Sequence, residues 1–230
     1  MTKSTTNSSA AAPVRRAKVL VVDDHPVLRQ GVAQLINRQP DLICCGEADS
    51  VLAASAAVEI HAPEVVLLDL QMGSGDTFDW IKSARIRLPQ VLIIVLSQHA
   101  EAIYAERALR AGARGYVMKQ EASVEVLRAI RTVLAGELYV SRKMTPLILR
   151  KLLKTDSAQD ANLTKLSERE MEVFQLLGSG LGSRQIAEQL NLSIKTIETY
   201  RENIKRKIGL QDAPQLIQHA TNWVLNRVCP

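Results

Sequence analysis

Asp24, Asp69, Ser97 and Lys119 are the residues of this 230-residue chain whose types and spacing add up to chemistry. Each closes a short apolar run: Lys18-Val-Leu-Val-Val-Asp23-Asp24, Glu64-Val-Val-Leu-Leu-Asp69, Val91-Leu-Ile-Ile-Val-Leu-Ser97 and Arg114-Gly-Tyr-Val-Met-Lys119. Continuous apolar runs of this length are the mark of strands covered on both faces of a parallel sheet. Ligands of such sheets bind outside the carboxyl ends of the strands, where the strand order reverses, so the four side chains converge on one crevice. Asp23, Asp24 and Asp69 repel one another there unless a hard cation sits among them. Mg²⁺ suits carboxylate oxygens and keeps water in its other positions. The lysine and the hydroxyl then hold an anion beside the metal. The chemistry that uses every one of these groups is receipt of a phosphoryl group by a carboxylate. The metal screens donor from nucleophile, and the lysine meets charge on the equatorial oxygens. The acyl phosphate adds local charge, which can bias a two-state element.

The elements that must position these residues are legible around them. From Lys18 to Ala135 the pattern alternates strand and helix five times, with strands near 18–23, 42–48, 64–69, 91–96 and 114–118. Helices are predicted near 26–38, 50–61, 76–87, 100–111 and 122–135. Crossovers of this length imply a parallel sheet with right-handed connections. Pro26 suits a first helical position, and Gly112 and Gly136 fall where helices stop.

Composition sets the bounds. A chain of this length holds one large domain or two modest ones. The apolar fraction of 47% supports real cores, and with only 3% aromatics they are aliphatic. Cys44, Cys45 and Cys229 show no metal-ligand spacing and read as buried free thiols, which fits a reducing compartment. No apolar run approaches the 18 residues of a membrane span, and residues 1–16 lack the apolar core of a signal peptide. That stretch reads as a disordered tail, and the chain as cytoplasmic. Residues 17–137 hold 12 basic and 15 acidic side chains, whereas residues 163–230 hold 9 and 7. An acidic first half before a basic second half suits a metal or phosphate site followed by a nucleic-acid reader.

Residues 137–162 have no clear period, apart from a short helix near Pro146–Lys154, and Thr155–Asn162 reads as linker. Beyond it come four predicted helices and no strand signal, broken at 178–182, 191–193 and 209–212. Ser167-Glu-Arg-Glu170 is a capping box, and Ser193 can cap the third helix. Ile194, Ile197, Ile204 and Ile208 form that helix's inward stripe. Residues 194–208 carry 5 basic and 2 acidic side chains, as suits a helix entering the major groove.

Asp23-Asp24, Asp69, Ser97 and Lys119, in this order, resemble the receiver domain of bacterial two-component response regulators. The second half resembles the LuxR-type helix-turn-helix module of the NarL/FixJ class. There Ser183–Leu190 matches the scaffold helix, Asn191-Leu-Ser193 the turn and Ile194–Ile208 the recognition helix. The resemblance implies a flavodoxin-like, doubly wound, five-stranded α/β receiver over residues 17–136, a linker over 137–162 and a small all-α four-helix DNA-binding domain over 163–230. It implies Asp69 as phosphoacceptor and Asp23, Asp24, Asp69 and the Gln71 carbonyl as the Mg²⁺ set. Ser97 and Lys119 become phosphoryl ligands, and Tyr116 the aromatic that turns inward when Ser97 moves. It implies a cognate sensor histidine kinase, double-stranded promoter DNA and a homodimer, with no membrane. The only catalysis is self-phosphotransfer and autodephosphorylation at Asp69.

On the recognition helix, Lys195 and Thr199 are assigned to base edges, and Thr196, Arg201 and Lys205 to phosphates, with Tyr200 also within reach of a phosphate. Glu198 either accepts from a cytosine amine or pairs with Lys195 or Arg201. In this family the last helix forms the dimer contact, for which Leu216 and Trp223 are candidates, although Trp223 also suits the core. His99 and Gln71 either tune dephosphorylation or, for His99, rest on a solvated loop. Gly73 stands where the family usually has proline, which frees the loop beside Asp69. Three other readings are a receiver that is not phosphorylated, a phosphate relay with vestigial DNA binding, and a Mg²⁺-dependent phosphatase. The last needs a second catalytic acid where Gln71 stands.

Overall fold

A computed structural model of the chain describes residues 15–72, 77–98, 101–141, 144, 163 and 165–228. Residues 1–14 of the expected tail, the Pro146–Lys154 helix, the 155–162 linker, Gly73, His99 and Cys229 lie outside the described residues. The last two residues of that stretch are held on the sheet, Arg15 by the Glu64 carboxylate at 3.2 Å and Arg16 by donating to the Leu42 carbonyl at 2.8 Å.

The first half is one parallel sheet wrapped by helices. Its elements are β1 (Ala17–Val22), α1 (Pro26–Asn37), β2 (Leu42–Ala48), α2 (Val51–His61), β3 (Val65–Asp69), α3 (Thr77–Arg87), β4 (Leu92–Ser97), α4 (Glu101–Ala111), β5 (Gly115–Met118) and α5 (Ala122–Leu134), with a 3₁₀ turn at Lys119–Glu121. The strands lie in the order β2-β1-β3-β4-β5, all parallel. Successive side chains point to opposite faces, and both faces are dry. Val19, Val21, Leu67 and Ile94 pack with Val32 and Ile36 of α1 and Val126 and Ile130 of α5. Leu20, Val22, Val66, Leu68 and Val95 meet Val58 of α2, Ile81 of α3 and Tyr104 of α4. This two-sided burial explains why the strands read as unbroken apolar runs.

Helix ends follow local chemistry. Pro26 opens α1, where its missing N–H costs nothing, and the Ser50 hydroxyl accepts from the Ala53 N–H at 3.3 Å to start α2. Gly112 and Gly136 have φ of 124° and 88°, a region that only glycine enters freely, and they release the chain after α4 and α5. Past α5, Tyr139 pairs with the β5 edge, its carbonyl accepting from the Tyr116 N–H and its N–H donating to the Arg114 carbonyl, both at 2.9 Å.

The second half is helical: α6 (Glu168–Gly178), α7 (Ser183–Leu190), α8 (Ile194–Ile208) and α9 (Ala213–Val228). The capping box forms: Ser167 Oγ accepts from the Glu170 N–H at 3.3 Å, and Glu170 Oε2 from the Ser167 N–H at 2.7 Å. The same Glu170 oxygen meets Lys207 Nζ at 2.6 Å, tying the end of α8 to the start of α6. Phe174, Leu177, Ile186, Ile197, Ile204, Leu216 and Ala220 fill the core, and the Trp223 ring stands edge-on to Phe174 with centroids 5.7 Å apart. Against the receiver-like half, Arg107 of α4 lies over the Phe78 ring and donates to the Leu166 carbonyl.

The thiols of Cys44 and Cys45 are half-buried on the edge strand β2, not buried as composition suggested. Burial still pushes Cys44 up to about 11, which keeps it protonated and inert. No helix among the described residues is long and apolar enough to cross a membrane.

Candidate functional site

The strand order reverses between β1, which pairs with β2 on one side, and β3, which pairs with it on the other. Asp23 follows β1 and Asp69 ends β3, so both carboxylates stand at this switch point. Asp23 is 1% and Asp69 2% exposed. From the β5 side, Lys119 reaches across with its ammonium 2.7 Å from Asp69 Oδ2 and 2.8 Å from Asp23 Oδ2. The Gln71 N–H donates to Asp69 Oδ1 at 3.1 Å. Asp24, partly exposed, points outward and meets His25 Nδ1 at 2.7 Å. Asp23, Asp24, His25 and Asp69 place one ligand atom each within 4.8 Å of one another.

The electrostatics follow from this crowding. Burial pushes the Asp69 carboxyl up to about 6, against the pull of Lys119 and the Gln71 N–H, with help from the neighbouring Asp23 charge. Burial works against the Lys119 charge, but its hydrogen bonds to Asp23 and Asp69 prevail and hold it above its usual range. One ammonium thus faces two buried carboxylates, and a third lies at the rim. Apart from Lys119, the inner oxygens of Asp23 and Asp69 meet no hydrogen-bond donor among the described residues. The three carboxylates of this anionic, half-open set fit a hard divalent cation such as Mg²⁺.

Ser97 is fully buried at the end of β4, and its hydroxyl is hydrogen-bonded to that of Tyr116 on β5. Tyr116 is 1% exposed, so its ring lies inside the molecule, and burial raises its hydroxyl well above the usual range. The chain beyond Asp69 is held by Thr77, whose buried hydroxyl donates to the Leu70 carbonyl at 2.9 Å.

The second candidate surface is α8. Ser193 caps it, accepting from the Thr196 N–H at 3.0 Å. Ile197, Ile204 and Ile208 face the core, but Ile194 is 50% exposed and leaves the inward stripe that its spacing suggested. It is the first residue of α8, and the buried stripe begins three residues on, at Ile197. Lys195 and Thr199 are exposed, whereas Thr196, Tyr200, Arg201 and Lys205 are half-buried. Arg201 Nη1 reaches Glu198 Oε1 at 3.1 Å and Ser183 Oγ of α7 at 2.5 Å. Lys205 Nζ meets Glu202 Oε1 at 2.8 Å. On α9, Leu216 is fully buried and Trp223 is 7% exposed, so both side chains pack into the core of the helical half. Among the described residues of α9, the large apolar ones left outside are Ile217 and Leu225.

Comparison with known proteins places both halves. Residues 19–131 match the response regulator receiver domain, and residues 164–220 match the bacterial regulatory proteins of the luxR family. The oxygen regulatory protein NreC of Staphylococcus aureus is 35% identical over 210 residues, covering 88% of this chain and 96% of NreC. The chain is a response regulator with a LuxR-type DNA-binding domain. Among solved structures, Salmonella typhimurium RcsB aligns over 90% of the regulator and 98% of RcsB, at 25% identity and a TM-score of 0.54. A LuxR-family response regulator from Aurantimonas sp. SI85-9A1 aligns over 60% of the regulator and 99% of its own length, at 28% identity and a TM-score of 0.56. The regulator is therefore a transcription regulator, and receivers of its family bind Mg²⁺ at an acidic pocket such as the one formed here.

Sequence reasoning passed over two groups at the regulator's pocket. His25 touches both Asp23 and Asp24, at 3.1 and 2.7 Å, and Arg29 Nη1 donates to the Asp23 carbonyl at 2.6 Å. The signal was adjacency: His25 follows Asp24, and Arg29 lies one helical turn further on.

Proposed function

We propose that a sensor histidine kinase passes a phosphoryl group to Asp69, and that the phosphorylated regulator dimerises and binds promoter DNA in the cytoplasm. Residues 17–136 serve as receiver, 137–162 as linker and 163–230 as DNA-binding domain. The observation that carries this reading is the Lys119 ammonium within 2.8 Å of both Asp69 and Asp23, beside the exposed Asp24 carboxylate.

Asp23, Asp24, Asp69 and the Gln71 carbonyl would hold Mg²⁺, which when bound supplies the positive charge that screens an incoming phosphodonor. An Asp69 oxygen attacks phosphorus, the bond to the donor breaks, and the donor leaves with its electron pair. Lys119 moves from carboxylate to phosphoryl oxygens, where it meets the charge that develops. Ser97 donates its hydroxyl to the same group. Its present partner is Tyr116, so phosphorylation changes the contact that holds the ring inside. The Tyr116 N–H is bonded to Tyr139, which links that event to the chain leaving the receiver.

On DNA, Lys195 and Thr199 face base edges, and Thr196, Tyr200, Arg201 and Lys205 lie along the flanks toward phosphates. The exposed Ile217 and Leu225 of α9 offer a contact to a second copy, which would place two recognition helices on half-sites roughly 34 Å apart.

The test is intact mass after incubation with acetyl phosphate and Mg²⁺, comparing the native regulator with Asp69→Asn. One phosphoryl adduct, metal-dependent and absent from the variant, is expected. An adduct that survives in Asp69→Asn would move the phosphoacceptor elsewhere.

A further inference from the structure

The outward stripe of α8 carries an unexpected charge pattern. With Ile197, Ile204 and Ile208 turned to the core, the residues opposite them recur at i, i+3, i+4 and i+7: Lys195, Glu198, Thr199 and Glu202. All four are exposed. Two of the four are carboxylates, on a helix whose family presents this face to a polyanion. The cations are set behind them. The Glu198 and Glu202 side chains are 51% and 69% exposed, whereas their partners Arg201 and Lys205 are 17% and 15% exposed. Stability does not explain the arrangement, because one-turn surface ion pairs contribute about 0.5 kcal/mol or less.

A carboxylate that is held by a cation from behind and presented outward is an acceptor waiting for a donor. On the floor of the major groove the donors are exocyclic amines. Cytosine N4 is the one that Glu and Asp accept from, while the guanine opposite offers O6 and N7 to a lysine. Lys195 and Glu198 stand one helical turn apart on the same stripe. That spacing places a donor and an acceptor side by side, as the two halves of G·C pairs require. Each carboxylate pays repulsion from the phosphate backbone, and only a base-edge hydrogen bond recovers it, so the same residues reject sites that lack the amine.

We propose that Glu198 and Glu202 are specificity-determining residues of this regulator, reading cytosine amino groups in the major groove, and that each is steadied by Arg201 or Lys205. The inference rests on the DNA-reading role of α8 and adds to it a base preference. It predicts half-sites with cytosine at two fixed positions, one for each carboxylate.

The experiment is selection of duplexes from a randomised pool by the full chain, treated with acetyl phosphate and Mg²⁺, beside Glu198→Gln and Glu202→Gln. Both positions are exposed, and circular dichroism checks that the variants keep the native helix content. The native chain is expected to select cytosine at two positions, with any other base there costing roughly 5- to 150-fold in affinity. Glu198→Gln should lose that preference at one position or pass it to adenine, whose N6 and N7 suit an amide. Glu202→Gln should act at the other position. Affinity for unselected duplex should stay level or rise, since a negative charge has gone. A native site without cytosine preference, or variants that keep the native preference, would overturn the inference while leaving DNA binding intact. A native chain that retains no duplex at all would overturn the role of α8 itself, and the carboxylate reading with it.

Discussion

Asp69 shows how one residue can be legible in kind and illegible in degree. Its place at the end of an apolar run marks it as a buried strand-end acid, but its affinity for protons depends on how completely the fold dries it. Burial lifts it to about 6, and Lys119 is too shared with Asp23 to bring it back down. The consequence has a sign. Between the ordinary value of 3.8 and about 6, the folded chain keeps a proton that the unfolded chain has released. Stability therefore falls as pH rises through that window. Metal-free native protein should lose, relative to Asp69→Asn, on the order of 3 kcal/mol between pH 4 and pH 7. Urea midpoints across that range measure it, and parallel curves for the two proteins would show that burial does not perturb Asp69. His25 and Arg29 belong to the same scale. Their nearness to Asp23 and Asp24 is legible in the sequence, but which oxygen each one meets depends on how the turn after β1 folds back.

Among the elements, the strands were the most legible because both their faces are buried, which leaves no polar alternation to confuse the reading. Two of the helix caps were almost as clear, since Ser167 and Ser193 act on backbone only three residues away. Helix phase was harder. Four isoleucines predict one stripe on α8, yet Ile194 opens the helix half-exposed and the buried stripe begins at Ile197. The α6–α9 crossing shows the same dependence. A Cβ on Gly178 would sit 2.4 Å from the Ala220 carbonyl oxygen and 2.6 Å from Val224 Cγ2. Helix propensity alone favours alanine there by about 1 kcal/mol, but a backbone oxygen cannot step aside, and overpacking costs about 1–3 kcal/mol. Gly178→Ala should therefore lower the unfolding midpoint of the helical domain. A raised midpoint would mean that the two helices can separate at little cost.

In the whole molecule, the acidic and basic halves are distinct machines, and among the described residues Arg107 of α4 reaches from one to the Leu166 carbonyl of the other. The acidic pocket concentrates three carboxylates around one ammonium, so a bound divalent cation should stabilise the receiver and leave the helical domain unchanged. Mg²⁺ at about 100 times its dissociation constant should add about 2.7 kcal/mol to the receiver's stability. Asp24→Asn, which removes the exposed ligand and spares the Lys119 pairs, should abolish most of that gain. Calorimetry with and without metal measures both, and an equal gain in native and variant would place the ion elsewhere.

The sequence by itself determined the alternation of strand and helix, the caps and the gathering of Asp23, Asp24, Asp69, Ser97 and Lys119 at one end of a sheet. Those depend on local propensity, on side-chain period and on the rule that parallel crossovers deliver strand ends to the same edge. Only the tertiary structure decided that Ser97 and Tyr116 share a hydrogen bond, that Leu216 and Trp223 face the core, and that Glu198 and Glu202 face outward with their cations behind them. Each of these is a choice between faces or between partners. It is settled by which surfaces water leaves when the elements pack, and that is a property of the assembled fold.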